Sequence, residues 1–223
     1  GTLELLLTKP ISKINIVLGK YFGAFVLILL ALVPTLLYVY SINQLGNPTG
    51  NLDLGTIFGS YLGLLFLVGT YTSVGVFTSS LTDNQIVSFI IAVLICIFLY
   101  IGLEGIADVT SVSALEYFGI NSHYKSISRG VIDTRDIIYF LSVITFFIAL
   151  TTKQLSTSGI QKNDWQRLAI LLVALVLINF GSNSIYSRFD VTKDQRYTLS
   201  ESSKELIKSI DSPLIIDVFL EGD

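Results

Sequence analysis

Five stretches of mostly apolar residues, each close to the length a helix needs to cross a bilayer, leave this chain few folds. A hydrocarbon core about 30 Å thick takes about 20 residues of helix. The stretches run roughly from Leu18 to Tyr40, Gly55 to Ser79, Ile86 to Leu103, Asp136 to Thr152 and Arg167 to Ser184. Composition agrees: 52% of residues are hydrophobic and only 14% are charged, against about 25% charged in soluble domains. The expected fold is an all-α polytopic membrane protein of about five transmembrane helices, followed by the truncated start of an α/β domain.

Within the spans, a few residues break the apolar pattern. Pro34 should kink the first helix, which is tolerated where neighbours re-satisfy the backbone. Gly55, Gly59 and Gly63 recur every four residues and so share one face of the second helix. Small residues at that spacing let helix backbones approach closely in lipid. The covering partner is either a second subunit or a helix of the same chain. Thr70, Thr72, Ser73 and Thr78 make this helix the most polar; they either line a path or bond their own backbone. Glu104 and Asp108 mark where the third span meets water. The segment from Val109 to Arg135 is too polar to span. Its His123, the only histidine, reads as interfacial.

Several functions are excluded. Gly19-Lys20 is preceded at the phosphate-loop spacing by Ile14, not glycine, so no Walker-type loop is present. No zinc-ligand spacing occurs. A net charge of −3 offers no basic stripe for nucleic acid. The single cysteine, Cys96, has no intrachain disulfide partner. The absence of methionine, even at position 1, suggests a fragment.

The N-terminal segment 1–17 has a different character. Leu3, Leu5, Leu6 and Leu7 stand beside Thr2, Glu4, Thr8 and Lys9, and Pro10 stops the helix this predicts. The string Gly-Thr-Leu-Glu-Leu-Leu-Leu-Thr-x-Pro-Ile-Ser, with Val-Leu-Gly-Lys after it, resembles the cytoplasmic coupling segment of ABC-2-type exporter permeases, most of all those of the gliding-motility-associated transporter. The run Tyr117–Tyr124, with Ser126 to Asp133 after it, is similar to that family's outer interfacial helices. The tail string Arg-Phe-Asp-Val-Thr-Lys-Asp-x-Arg-Tyr-Thr-Leu-Ser, Arg188 to Ser200, resembles the start of the same transporter's auxiliary subunit.

The resemblance implies two subunits joined in frame. Residues 18–152 would be permease spans with an outer interfacial segment at 109–135, 153–166 a cytoplasmic linker, 167–184 an anchoring helix and 185–223 the start of the extracytoplasmic domain. It implies that Thr2, Glu4, Leu5, Thr8, Lys9 and Pro10 dock on a separate ABC ATPase subunit, which uses the ATP, while this chain binds no cofactor and is no enzyme by itself. It further implies a second permease copy, an inner-membrane location with the N-terminus cytoplasmic, and an extracytoplasmic partner reached through the tail. Lysine placement supports that orientation through Lys9, Lys13, Lys20, Lys153, Lys162 and Arg167, although Arg188, Lys193 and Arg196 in the tail weaken it. In the tail, Thr198 and Glu201 form a capping-box pattern, Leu199, Leu206 and Ile210 share a face, and Leu214 to Leu220 reads as a strand. The other functional class to weigh is a membrane anchor or scaffold that presents the tail domain and transports nothing.

Overall fold

The computed structural model describes residues 11–155 and 161–210. Five helices among them are long and apolar enough to cross a membrane. The first crossing, Lys13–Leu45, is three pieces: α1 (Lys13–Leu32), a 3-10 turn (Val33–Thr35) and α2 (Leu36–Leu45). Pro34 causes the break, because it cannot donate into the ladder. The Thr35 hydroxyl donates to Leu32 O at 2.6 Å and lies 2.8 Å from the Tyr61 hydroxyl, so the turn is also held from the next helix.

The second crossing, α3 (Leu54–Thr78), is the hub, packing against α1 and against the helices Gln85–Ile97, Ile120–Ser128 and Thr134–Gln154. Three of its four singled-out hydroxyls bond locally, while Thr72 Oγ1 is buried without a partner. Thr70, Ser73 and Thr78 donate to the carbonyls of Phe66, Thr70 and Gly75 and are buried. The most polar helix therefore takes the centre without unsatisfied lone groups at those three positions.

The third crossing is longer than its apolar run. α4 (Gln85–Ile97) passes through a π-helical turn at Phe98–Gly102 into α5 (Leu103–Thr110). Glu104 and Asp108 thus lie inside the helix rather than after it, and their roles divide. Glu104 accepts from Asn121 and pairs with Lys125 at 3.0 Å, whereas Asp108 is exposed.

A short 3-10 helix (Ser113–Phe118), α6 (Ile120–Ser128) and strand β1 (Val131–Asp133) follow. The fourth crossing is α7 (Thr134–Gln154) and the fifth is α8 (Lys162–Ser184). Both helices run into the expected polar linker: Lys153 bridges to Asp164 at 2.7 Å, and Gln161 and Asp164 cap α8 reciprocally. After α8 come β2 (Arg188–Asp190) and α9 (Glu201–Lys208). The N-cap of α9 is Ser200, which accepts from Ser203 N at 3.2 Å. Thr198 is not a cap, since its hydroxyl donates to Asp190. Leu199 precedes the helix, and Leu199 and Leu206 are exposed. The strand expected at Leu214 to Leu220 lies outside the described residues.

The five crossings alternate in direction. The 46–53 loop, the 111–133 segment and the tail therefore gather at one end, called distal here. The 79–84 turn and the ends of α7 and α8 joined by Lys153 and Asp164 lie at the other. The main buried cluster, Ile120, Ile127, Tyr139 and Phe140, sits under the distal segment and is packed by Leu62, Phe66 and Tyr100. Phe66 and Phe140 stack with ring centroids 5.6 Å apart. By contrast, the most apolar window of the first crossing has no fully buried residue.

Single cysteines tested with a membrane-impermeant thiol reagent, in a Cys96→Ala background, check this alternation. Asp83→Cys and Gln161→Cys should label from one side, and Asn47→Cys and Glu201→Cys from the other. Labelling of positions 83 and 201 from the same side would refute it.

Candidate functional site

The distal end is where chemistry concentrates, and the glycine face of α3 is its floor. A Cβ built on Gly55 would lie 1.6 Å from Val191 O, and one on Gly59 would lie 2.6 Å from both Gly130 Cα and Ile127 O. Gly63 is looser, 3.2 Å from the Tyr124 ring. The face is thus covered by α6 and the tail of the same chain. Ser60 adds a polar tie, donating to Thr56 O and to Ser128 O at 2.8 Å. Gly130 has φ +87°, a conformation only glycine adopts cheaply, and it turns the chain from α6 into β1.

The tail is built into this end. β1 and β2 pair antiparallel, with Val131 opposite Asp190 and Asp133 opposite Arg188. Val191 N donates to Gly130 O at 3.0 Å, and Thr134 N to Ser187 O at 3.1 Å. Asp133 has no exposed surface and is gripped by two arginines. Arg188 donates to both of its oxygens, Nε at 2.8 Å and Nη2 at 2.9 Å, and Arg135 reaches Oδ2 at 3.0 Å. Both guanidinium groups lie over the Tyr186 ring. Burial by itself would raise the Asp133 carboxyl, but the Arg188 hydrogen bonds and the two positive charges outweigh it and hold it below the usual carboxylate range. The same pairing raises Arg188.

Two further carboxylates fasten the tail. Asp53 Oδ1 caps α3 through Gly55 N and Thr56 N, at 3.0 and 3.1 Å, and also takes Lys193 N at 3.1 Å. Although desolvation opposes it, the backbone bonds from Thr56 and Lys193 lower this group. Asp190 folds the loop that follows, taking Thr192 N and Oγ1 on one oxygen and Tyr197 N and Thr198 Oγ1 on the other.

His123 is largely enclosed by protein at the distal end. Its ring is stacked 4.0 Å from Tyr139, and its side chain is 11% exposed. Nδ1 lies 2.7 Å from Asp136 Oδ1, and Nε2 lies 2.9 Å from Tyr117 O. A backbone carbonyl only accepts, so Nε2 carries a proton; the Nδ1 contact needs a second, shared with Asp136. The other Asp136 oxygen is buried without a partner.

The remaining sequence-predicted site residues, Thr2, Glu4, Leu5, Thr8, Lys9 and Pro10, lie outside the described residues. Among the described residues, no group of three or more His, Cys, Asp or Glu side chains is placed to hold a metal ion.

A family model described as ABC-2 family transporter protein matches residues 1–191, which takes in all five crossings and β2. The chain belongs to the ABC-2 transporter family. Residues 193–223 match a domain of unknown function, DUF7088. Comparison with curated proteins and with solved structures gave no significant match. ABC-2 permeases are membrane components of ABC transporters and are not themselves catalytic. In this ABC-2 chain, the two matches meet at Thr192, a buried residue between the Asp53 and Asp190 anchors.

Two predictions follow from this geometry. Gly59→Ala should cost about 1–3 kcal/mol or more, since the intruding methyl meets backbone. Gly23→Ala, which meets nothing within 4 Å, should be silent. Thermal melts in detergent of the two variants decide this, and equal melts would refute it. For the clamp, Arg188→Ala leaves Asp133 buried with only Arg135. Because Arg188 is 42% exposed, the loss should be on the order of 2 kcal/mol rather than the full cost of a broken buried pair. Amide exchange at 188–192 should then quicken about thirtyfold. Because the Asp133 group is depressed in the folded state, its contribution is present above the unfolded value of about 4 and disappears as pH falls through the folded value. Wild-type protection there should hold at neutral pH and fail only below the normal carboxylate range.

Proposed function

We propose that the chain is the permease component of an ABC exporter of the gliding-motility-associated type, coupling ATP hydrolysis on a separate subunit to transport across the inner membrane. The observation that carries this reading is the family match over residues 1–191 together with five crossings. The family in general works with an ATPase partner and as a permease dimer. In this reading the segment with Thr2, Glu4, Leu5, Thr8, Lys9 and Pro10 seats on the ATPase in the cytoplasm, and the tail is extracytoplasmic. ATP stays on the partner. Motion of α3 and α7 would pass directly to the tail, because Gly55, Asp53 and Asp133 hold it against those helices. The in-frame joining of permease and auxiliary subunit fits a tail that is docked at both sides of residue 192.

The tail contacts also favour a second reading, a scaffold that presents the following domain without transport. Glu4→Arg separates the two. In a groove on an ATPase, the reversed charge would lose its partner, which costs several kcal/mol when buried. The exporter reading expects loss of ATPase co-purification and of substrate-stimulated hydrolysis in liposomes, with insertion intact. Pro10→Ala should do less, since it only relaxes a helix end. A Glu4→Arg variant that retains both activities would favour the scaffold.

A further inference from the structure

We propose that the cavity between α7 and α8 at the distal end binds one acyl chain bearing an anionic headgroup. The cavity has a volume of about 260 Å³. An apolar cavity of about 150 Å³ accepts a benzene ring, so this one accommodates roughly ten carbon atoms. Its walls are apolar, from Leu99, Val143, Phe146, Leu175 and Val176. The hydroxyl and amide within it are already satisfied: Asn179 donates to Ser142 Oγ at 2.9 Å and to Leu175 O at 2.8 Å. These walls ask for hydrocarbon, not for a polar solute.

The mouth faces lipid. Leu172 and Phe180 line the cavity and are also 45% and 51% exposed on α8, a membrane-crossing helix. Along α7 the lining runs from Arg135 to Phe147, on the order of 20 Å of helix rise, which takes it from the distal edge to mid-membrane. An acyl chain of the distal leaflet lies at that depth.

The distal end of the cavity is polar, with Arg135, His123 and Asn183. Its charge follows from hydrogen-bond bookkeeping. Asp133 and Asp136 balance Arg135 and Arg188. The His123–Asp136 pair then holds one proton more than a neutral imidazole and a carboxylate, because both ring nitrogens face acceptors. The cluster is therefore net positive by one, wherever on the pair that proton sits. Nearby, Glu104 is matched by Lys125, and the exposed Glu116 is screened by water. A monoanionic head, phosphate diester or carboxylate, matches this end, and its chain matches the walls. The site rests on the crossings and on the distal charges packed against them, and holds whether or not the chain transports anything.

Photo-crosslinking tests it. The full chain is placed in phosphatidylcholine nanodiscs containing a small fraction of one diazirine-acyl probe: phosphatidylglycerol, phosphatidylcholine or palmitate. Labelled peptides are then mapped. Labelling should concentrate on Val143, Leu175 and Val176, with the phosphatidylglycerol or palmitate probe exceeding the phosphatidylcholine probe about fivefold for one unit of charge. Labelling by palmitate alone identifies a free fatty acid, and labelling by phosphatidylglycerol a phospholipid. Val176→Trp should abolish the concentrated labelling by filling the cavity. Asn183→Glu, at an exposed position, leaves packing intact and should remove the anionic preference. Labelling spread evenly over the lipid-facing residues, or unchanged by Val176→Trp, would overturn the site. Equal labelling by both phospholipid probes, unaffected by Asn183→Glu, would overturn the anionic head.

Discussion

No side chain fits between α3 and the backbone that crosses its distal half. Gly59 meets the Gly130 Cα and the Ile127 carbonyl, and Gly55 meets the Val191 carbonyl. In lipid, helices gain nothing from hiding apolar surface from one another, so close shape matching and polar ties must hold them. The glycine face supplies the first, and Ser60, bridging to Ser128 O, supplies the second. Once that contact is made, α6 lies over the bundle, Ile120 and Ile127 are sealed against Phe140, and β1 is set where the tail can pair with it.

Charge then decides how firmly the tail stays. A carboxylate with no exposed surface, Asp133, is tolerable only because two guanidinium groups reach it, and one of them comes from the tail. Asp53 does the same at smaller scale, spending one oxygen on both a helix N-terminus and the Lys193 amide. The consequence for an ABC-2 permease is mechanical. The part of the chain that matches a second family begins at a rigid attachment to α3 and α7, rather than at the end of a loose tether.

The same end of the molecule carries two different polar devices. The Asp133–Arg188 clamp is matched in charge and holds chain to chain. The His123–Asp136 pair is neutral with both ring nitrogens facing acceptors, so the Arg135 charge beside it is left over at the edge of an apolar cavity. That asymmetry separates a structural ion pair from a surface able to select among lipids.

The sequence by itself determined the membrane character and the number of crossings, because apolar length against bilayer thickness is a local property. It also marked Pro34 as a break and the glycine spacing as a close-packed face, since both follow from backbone geometry within one helix. Its boundaries fell short where a helix outruns its apolar run, as at Leu103 to Thr110, where Glu104 finds partners in α6. It misplaced the cap of α9 at Thr198, because Asp190, eight residues earlier, takes that hydroxyl. What covers Gly55 and Gly59, why Asp133 is buried and where His123 points were decided only by tertiary structure. Asp133 and Arg188 are 55 residues apart, and Asp53 and Lys193 are 140 apart; no pattern within one helix carries information about a partner that folding alone brings near.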